Sequence, residues 1–307
     1  MLKPPAVRPG DRVAVIAPAS SAKVERIDGG LEALRALGYD AVEAKHARGR
    51  VEPYFSGTVD ERLEDLYAAF ADDDVKAIIC TRGGYGSNYL LEQLDLTLIR
   101  SHPKPLLGYS DLTTLQTHLL DKTGLIAFHG PMAAADFYRD DGVHLPSLEA
   151  ALTGGEAGVR AAEGLRVLRP GMARGTLYGG CLSILTAALG TPFAPETEGK
   201  VLFLEDVSAR PYQVDRMLRQ LILAGKLDGV TGIIFGEMLD CHSPGTDPGL
   251  LEAVIRRVLD WFDGPIAIGL RSGHVSRQNV TLPLGIRVEL NLEGEPVLQY
   301  LEPAVQV

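Results

Sequence analysis

The sequence predicts an α/β protein of two domains: an N-terminal domain built on a parallel sheet, and a C-terminal mixed α/β domain rich in strands. Three observations support this. The chain has 307 residues, more than one hydrophobic core usually serves. In the first half, short and almost wholly apolar runs alternate with segments of helical periodicity, as in strands covered on both faces. The second half contains more strand-like runs and ends on a hairpin-like pair.

Strands and helices alternate along the first half. The predicted strands cover residues 12–17, 39–44, 75–80, 104–109 and 125–128. The predicted helices cover residues 21–37, 58–70 and 111–120, with apolar residues at steps of three and four. Because right-handed crossovers join strands in this order, the sheet is expected to be parallel. Ligands of such sheets bind beyond the carboxyl ends of the strands.

A change of composition separates the two predicted domains. Residues 148–174 are rich in Gly, Ala and Glu and contain Gly and Pro breakers, which are typical of a boundary. We predict an N-terminal domain over residues 1–155, a linker over 156–172 and a C-terminal domain over 173–307. The predicted strands of the second half are 176–178, 200–204, 230–235, 265–270, 286–290 and 297–301, and its predicted helices are 181–189 and 212–223.

Charge and composition narrow the classes of function. A formal net charge of −10 argues against a nucleic-acid or anionic-membrane partner, because both bind to basic patches. No apolar run is long enough to span a membrane, and the N-terminus lacks the pattern of a signal peptide. The three cysteines are far apart and have no metal-ligand spacing. We therefore expect a cytoplasmic protein.

The first predicted loop also bears on cofactors. Residues 18–21 (PASS) lack the GxGxxG fingerprint that cradles a dinucleotide after the first strand of many α/β folds. This counts against a dinucleotide fold of the usual type. The sequence gives no other cofactor signature, and we predict no cofactor.

A serine stands where a predicted strand meets a predicted helix. Ser110 follows the run 105–109 and precedes a helix-like run that starts at Asp111. A sharp strand-to-helix corner exposes a serine hydroxyl at the carboxyl edge of a sheet, and the next backbone N–H lies at a helix N-terminus, which favours negative charge. Ser110 is thus a candidate nucleophile. The alternative is a simple helix cap, the commonest role of a serine in this position.

A serine nucleophile needs a base. His274 lies in a Gly-containing loop after the predicted strand 265–270, a placement that exposes a side chain to a cleft. His129 follows the strand 125–128 at the sheet edge predicted for Ser110, so it is a second candidate. The other histidines are in loops or within a helix, where a solvated or packed side chain is the expectation: His46, His102, His118, His144 and His242.

Two strand ends offer a carboxylate to orient the base. Glu205 ends the apolar run 201–204, and Asp206 follows it. Because successive strand side chains point to opposite faces, only one of the two is expected to face a cleft. Glu237, after the strand 230–235, is another candidate. The order Ser110, Glu205, His274 matches that of the α/β-hydrolase triad, although geometry and not order defines a triad.

A glycine-rich loop follows the predicted strand 75–80. Residues 81–86 (TRGGYG) contain three glycines in four positions, which allow close approach of a ligand and present N–H groups to an anion. The loop lacks the Gly-Lys-Ser/Thr ending of a nucleotide P-loop, so phosphate transfer is not expected. It suits one half of an oxyanion hole beside Ser110. The alternative is a tight turn that leads into the next helix.

Taken together, these segments resemble a known family. Residues 82–86 (RGGYG), 107–113 (LGYSDLT) and 128–132 (FHGPM) are similar to the N-terminal half of the LD-carboxypeptidases, the murein tetrapeptide carboxypeptidases with the microcin-immunity peptidases as relatives. The second half agrees through 179–183 (GGCLS), 202–206 (LFLED), 212–218 (YQVDRML), Gly273-His274, Asn279 and 282–285 (LPLG). The set runs in family order over most of the chain.

The resemblance implies a set of roles. Ser110 is the nucleophile, Glu205 the orienting acid and His274 the base, and backbone N–H groups of Asp111 and Gly84 form the oxyanion hole. It also implies a homodimer, no metal, and hydrolysis of the L,D peptide bond to the terminal D-alanine of muropeptide tetrapeptides in peptidoglycan recycling. We assign substrate binding to residues of the same motifs: Arg82, Gly83, Tyr85 and Tyr109.

Two other functions stay open at this point. The first is a related serine hydrolase that cleaves peptide–nucleotide conjugates of the microcin type. The second is a two-domain binding protein that closes on a small ligand without chemistry.

Overall fold

The structure is a computed structural model that describes residues 1–51, 53–155, 158–242, 245 and 249–307. It divides into two compact units. The first comprises Met1–Glu156, Arg277–Gly285 and Pro303–Val307, and the second Ala157–Ser276 and Ile286–Glu302. No helix in the described part of the chain has the length and apolar character needed to cross a membrane.

The strands and helices follow in chain order. The strands are β1 Arg12–Ile16, β2 Asp40–Glu43, β3 Val75–Cys80, β4 Leu106–Gly108, β5 Ala127–His129, β6 Gly158–Arg160, β7 Arg166–Arg169, β8 Met172–Cys181, β9 Lys200–Glu205, β10 Gly232–Gly236, β11 Ile266–Leu270, β12 Leu282–Leu284, β13 Arg287–Asn291 and β14 Val297–Tyr300. The α-helices are α1 Val24–Ala36, α2 Val59–Ala71, α3 Leu96–Ser101, α4 Leu112–Thr123, α5 Leu145–Thr153, α6 Leu182–Ala187, α7 Pro211–Leu223 and α8 Leu250–Val258. Two 3-10 helices and one π-helical turn add Ser87–Gln93, Ala161–Glu163 and Ala133–Phe137.

The first unit contains a six-stranded sheet in the order β12-β5-β4-β3-β1-β2. Strands β1 to β5 are parallel, and only β12 is antiparallel to its neighbour. Their side chains are buried because helices cover such sheets on both faces, as in the pattern of β1, where four of five residues are buried. The strand order reverses between β1 and β3. This is the switch point where open α/β sheets bind ligands.

The second unit contains an eight-stranded mixed sheet in the order β6-β14-β13-β8-β9-β10-β11-β7. The central strands β8 to β11 are parallel, and antiparallel strands flank them on both sides. The carboxyl end of β9, at Glu205, therefore lies inside the sheet, with Cys181 as its neighbour on β8. The two-domain α/β fold and the parallel N-terminal sheet confirm the predicted fold class.

The division between the units differs from the predicted boundaries in two ways. Residues predicted as a linker include β6 and β7, edge strands of the second sheet, whose short length gives little signal in sequence. Residues 156 and 157 of that linker lie outside the described residues. Two segments of the predicted C-terminal domain belong to the first unit, because β12 pairs with β5 and Gln306 N–H donates to the Pro4 carbonyl.

Candidate active site

Ser110 occupies a strained corner in the first unit. Strand β4 ends at Gly108 and α4 begins at Leu112, so only three residues make the turn. Ser110 has a φ of 65°, in the left-handed region that costs a residue with a Cβ roughly 1–2 kcal/mol. The N–H of Thr113 donates to the Ser110 carbonyl at 2.9 Å, which ties the corner to the first turn of α4. This is the backbone geometry of a nucleophile elbow.

The glycine loop packs directly against this corner. A methyl group on Gly83 would lie 2.8 Å from Ser110 Cβ and 3.1 Å from both Ser110 Oγ and Asp111 N. Only glycine therefore allows the loop to approach the hydroxyl this closely. Gly84 has a φ of +105°, and a methyl group there would lie 2.5 Å from Ser20 Oγ.

Two hydroxyl groups connect the loop to its surroundings. Ser20 Oγ accepts from the Tyr85 N–H at 3.0 Å and is 3.3 Å from the Tyr85 carbonyl. Ser87, just after the loop, donates its N–H to Asp111 Oδ2 at 2.8 Å and its hydroxyl to the Asp111 carbonyl at 2.6 Å. Both residues of the Ser87–Asp111 pair are buried. The residue after Ser110 is thus bonded to the residue that follows the glycine loop.

The four residues assigned to substrate binding lie in different environments. The side chains of Arg82 and Tyr85 are exposed, and Tyr85 belongs to an aromatic cluster with Tyr54, Phe55 and Tyr89. Gly83 is buried against Ser110, as described above. Tyr109 does not fit the assignment: it is 6% exposed, and its hydroxyl donates to Asp136 Oδ1 at 3.4 Å. A strand-end side chain that points into the core has little surface to offer a ligand.

Glu205 and His274 form a hydrogen-bonded pair in the second unit. Glu205 ends β9 and is fully buried, whereas the His274 side chain keeps 20% of its surface exposed. His274 Nδ1 lies 2.8 Å from Glu205 Oε2, and the His274 backbone N–H donates to the same oxygen at 3.0 Å. A carboxylate on Nδ1 favours the tautomer that carries its proton there, which makes Nε2 the basic nitrogen.

Two glycines make room for the Glu205 side chain. A methyl group on Gly273 would lie 2.6 Å from Glu205 Cδ, and Gly273 has a φ of +90°. A methyl group on Gly236, at the end of β10, would lie 2.7 Å from Glu205 Cβ. Gly273 also turns the chain so that the next residue, His274, presents both its N–H and its ring to one carboxylate oxygen.

The other candidate acids have different partners. Asp206 points away from the pair: its Oδ2 accepts from the Ser183 N–H near the start of α6, and its Oδ1 from the Val207 N–H, at 2.8 and 2.9 Å. This agrees with the expected alternation of side chains along a strand. Burial raises the pKa of Asp206. Glu237 Oε2 accepts from the Ser276 N–H at 3.0 Å and not from an imidazole.

The second candidate base, His129, is buried in the core of the first unit. His129 ends β5, is fully buried in the first unit, and lies with its ring centroid 5.9 Å from that of Tyr109. Burial also lowers the pKa of His118, within α4. His46 Nε2 also lies 3.0 Å from a carboxylate oxygen, but that oxygen belongs to the exposed Glu64. His274 is the candidate base that pairs with a candidate acid, Glu205.

Sequence reasoning missed several residues that support the candidate catalytic groups within each unit. Ser20 and Arg62 contact the glycine loop, Ser87 contacts Asp111, and Gly236 makes room for Glu205. Of these residues only Gly236 could have been found from the sequence, because a glycine at a strand end indicates close approach of another group. Among the described residues, no group of three or more His, Cys, Asp or Glu side chains is arranged to hold a metal ion.

Comparison with known proteins shows the family to which the chain is related. Residues 13–130 match the LD-carboxypeptidase N-terminal domain and residues 174–290 match the LD-carboxypeptidase C-terminal domain. The chain is 40% identical over 293 residues to a probable murein peptide carboxypeptidase of Bacillus subtilis, with 94% of this chain and 91% of that protein covered. It is 30% identical over 317 residues to the microcin C7 self-immunity protein MccF of Escherichia coli, with 92% and 90% covered.

A solved structure agrees with these relatives. The muramoyltetrapeptide carboxypeptidase of Oxalobacter formigenes superposes with a TM-score of 0.83 at 30% identity, covering 95% of this chain and 99% of that one. Both halves of the sequence and the whole fold thus point to the same group of enzymes. The chain belongs to the LD-carboxypeptidase family of serine-type peptidases.

Proposed function

We propose that the protein is a serine carboxypeptidase that hydrolyses the L,D peptide bond to the terminal D-alanine of muropeptide tetrapeptides. In this proposal Ser110 is the nucleophile, His274 the general base and Glu205 the group that orients it. The observation that carries the proposal is the 2.8 Å contact between His274 Nδ1 and Glu205 Oε2. A buried carboxylate that accepts from both the ring and the backbone of one histidine is the supporting half of a triad.

The first chemical step forms an acyl-enzyme. Ser110 Oγ attacks the carbonyl carbon of the L-configured centre, and His274 Nε2 takes the hydroxyl proton. The tetrahedral intermediate carries its negative charge on the former carbonyl oxygen. The backbone N–H groups of Asp111 and Gly84 are the proposed donors to that oxygen, each worth roughly 3–4 kcal/mol of transition-state stabilisation. The C–N bond then breaks, and His274 returns the proton to the amine of the departing D-alanine.

The second step regenerates the enzyme. Water attacks the carbonyl carbon of the Ser110 ester while His274 takes a proton from the water. The bond from this carbon to Ser110 Oγ then breaks, His274 returns the proton to Oγ, and the tripeptide leaves with a new carboxylate. Removal of a single terminal residue requires recognition of its free carboxylate. The exposed Arg82 beside the glycine loop is our candidate for that contact, because a guanidinium matches a carboxylate in a two-point fork.

Mass spectrometry of a muropeptide tetrapeptide tests the proposal directly. Incubation with the enzyme should yield the tripeptide and free alanine, and a fluorophosphonate probe should label Ser110 covalently. The Ser110→Ala variant should give neither product nor label. An unchanged tetrapeptide with the wild-type protein, or full hydrolysis by Ser110→Ala, would contradict the assignment.

A second candidate substrate is an amino acid or peptide joined to a nucleotide. It is supported by the similarity to MccF, a self-immunity protein for microcin C7, since the same acyl chemistry serves both substrates. Turnover of a tetrapeptide and of an aminoacyl sulfamoyl adenosine, measured side by side as kcat/KM, separates the two. We expect the tetrapeptide to be the better substrate. The third alternative, binding without chemistry, conflicts with membership of a peptidase family.

Three further features belong to the same proposal: a role in peptidoglycan recycling, a cytoplasmic location and a homodimer. The described cysteines support a reducing compartment, because all three are free and buried. Light scattering of the purified protein measures the oligomeric state, and a dimer mass is the expected result.

A further inference from the structure

Arg62 is a buried cation that binds backbone carbonyls. It lies in the first turn of α2 and is only 3% exposed. Its Nη1 donates to the carbonyls of Pro18 and Gly86 at 2.8 and 2.7 Å, and its Nε donates to that of Thr58 at 3.3 Å. Among the described residues, no carboxylate lies within ion-pair distance of its guanidinium. A charge removed from water without a direct counterion is costly, and burial lowers the pKa of Arg62.

The two carbonyls bound by Nη1 come from different loops of the sheet. Pro18 follows β1, and Gly86 ends the glycine loop that follows β3. These are the two loops at the switch point of the first sheet, where a ligand is expected. Arg62 therefore joins the two loops at the one edge of this sheet that also carries Ser110.

The loop is built to receive this side chain. Gly86 has a φ of +122°, and a methyl group there would lie 3.0 Å from Arg62 Nη1 and 2.6 Å from Phe55 Cε1. The Arg62 guanidinium carbon lies 5.0 Å from the centroid of the Phe55 ring, a cation–π distance. The guanidinium is thus enclosed by a ring and by two carbonyl oxygens. A compact ammonium group lacks the planar, rigid donor set of a guanidinium.

From Gly86 the contacts continue to the nucleophile. The next residue, Ser87, is bonded twice to Asp111, the residue after Ser110. At the other end of the loop Gly83 packs on Ser110 itself. The Asp111 carboxylate also acts electrostatically on Arg62, raising the pKa that burial lowers.

We propose that Arg62 is a positioning residue for the oxyanion-stabilising loop. By binding the Gly86 and Pro18 carbonyls to one nitrogen, it sets where the backbone N–H group of Gly84 lies relative to Ser110. This inference rests on the proposed catalytic roles of Ser110 and the glycine loop. It predicts that loss of Arg62 lowers kcat and leaves KM nearly unchanged, because a misplaced oxyanion donor weakens transition-state binding alone.

The test compares Arg62→Gln with a matched control. Lys104 is also buried in the first unit and also donates to two carbonyls, those of Ala69 and Asp72, but it precedes β4 whereas Ser110 follows it. Thermal unfolding is measured for Arg62→Gln and Lys104→Gln, and tetrapeptide turnover is measured well below both Tm values. We expect both variants to lose stability. Only Arg62→Gln should lose kcat, by about 30- to 300-fold, somewhat less than the roughly 100- to 1,000-fold loss on removing an oxyanion donor outright.

Two further variants keep the test decisive. Arg62→Lys keeps the charge but not the fork and should recover part of the lost kcat. Ser20→Ala removes the hydroxyl that binds Tyr85 in the same loop and should lower kcat by about 3- to 10-fold, the loss expected for one neutral hydrogen bond. A folded Arg62→Gln with wild-type kcat would overturn the proposal. If Arg62→Gln does not fold, the proposal is overturned when Arg62→Lys and Ser20→Ala both keep the wild-type kcat.

The rate of fluorophosphonate labelling of Ser110 separates this proposal from the proposed substrate. The probe needs the nucleophile and the oxyanion site but no peptide. If wild-type protein is labelled and releases no alanine, the substrate assignment fails, and slower labelling of Arg62→Gln still supports the role of Arg62. Equal labelling rates in wild type and Arg62→Gln would contradict that role.

Discussion

Each of the two units holds its proposed catalytic residues in a different way. In the first, backbone conformation dominates: Ser110 has a φ of 65°, and the glycine loop lies against it because residue 83 has no side chain. The residues involved lie in two short segments, 82–87 and 108–111. In the second unit, the side chains of His274 and Glu205, which are far apart in sequence, meet in one hydrogen bond.

Because the two sets of residues are held differently, different kinds of substitution should disrupt them. A backbone-built corner depends on strain, which the stability of the surrounding sheet must offset. A side-chain pair depends on desolvation and on available space, because an unpaired buried carboxylate costs several kcal/mol. Four sets of variants can break or sharpen this contrast, and their expected effects decrease in the order given.

Removal of one functional group from each unit should give the largest effect. Ser110→Ala abolishes the nucleophile and should lower kcat by about 10⁴-fold or more, and Glu205→Gln should lower it by about 10³- to 10⁴-fold because the wrong tautomer of His274 is favoured. Steady-state release of alanine measures both. The matched control is Glu237→Gln, at the end of the neighbouring strand, which should change kcat less than about threefold, since its carboxylate binds no imidazole. A Glu205→Gln variant as active as that control would contradict the proposed role of the pair.

Loss of space beside Glu205 should give the next largest effect. Gly273→Ala places a methyl group 2.6 Å from Glu205 Cδ and also strains a φ of +90°. We expect kcat to fall about 10- to 100-fold, because an ångström of misplacement is this costly in a catalytic group. Gly190→Ala is the control for strain alone: its φ is +81° and nothing lies within 4 Å. It should cost about 1 kcal/mol of stability and no activity.

Buried Asp136 should make the first unit sensitive to pH. Burial raises the pKa of Asp136 from 3.8 to about 6, although Met132 N–H, Asn279 Nδ2 and Tyr109 hydroxyl donate to it. Because the folded state holds the proton more tightly, this group stabilises the fold below pH 3.8, and that contribution is lost as pH rises to about 6. The expected loss is on the order of 2–3 kcal/mol.

Denaturant unfolding of wild type and Asp136→Asn between about pH 4 and pH 7 measures this effect. The difference in free energy of unfolding, wild type minus variant, should fall through the interval and level off near its upper end. A difference that stays flat, or rises with pH, would show that the carboxyl is ionised throughout.

Strain at the nucleophile should give the smallest effect. A glycine adopts the left-handed region without cost, so Ser110→Gly should be about 1 kcal/mol more stable than Ser110→Ala. Ser208, in the second unit, has a φ of 57°. Comparing Ser208→Gly with Ser208→Ala measures the same strain away from the proposed nucleophile. Similar gains at both positions would mean that the strain at Ser110 is an ordinary local cost. Thermal unfolding of the four variants supplies the answer.

The pattern of apolar residues along the sequence was sufficient to predict most strands of the first sheet. Apolar runs of strand length predicted β1 to β5, and three- and four-residue steps predicted α1 and α2, each within a few residues of the observed bounds. The short edge strands β6 and β7 and the helix α5 were absent from the prediction, since they fall in or beside the Gly-rich stretch taken as a boundary. The strand β12 was also absent, because its central residue is Pro283, and a proline argues against a strand.

The sequence by itself determined the candidates: a serine at a strand-to-helix corner, glycines after a strand, acids at strand ends and a histidine in a loop. These are local properties, set by side-chain chemistry and backbone preference over a few residues. The local residue pattern left Glu205, Asp206 and Glu237 as alternatives, and the family resemblance favoured Glu205. The tertiary structure showed that Glu205 contacts His274, which depends on side chains far apart in sequence. It alone also revealed Arg62, whose partners are backbone carbonyls that every residue carries and that no pattern of side chains can indicate.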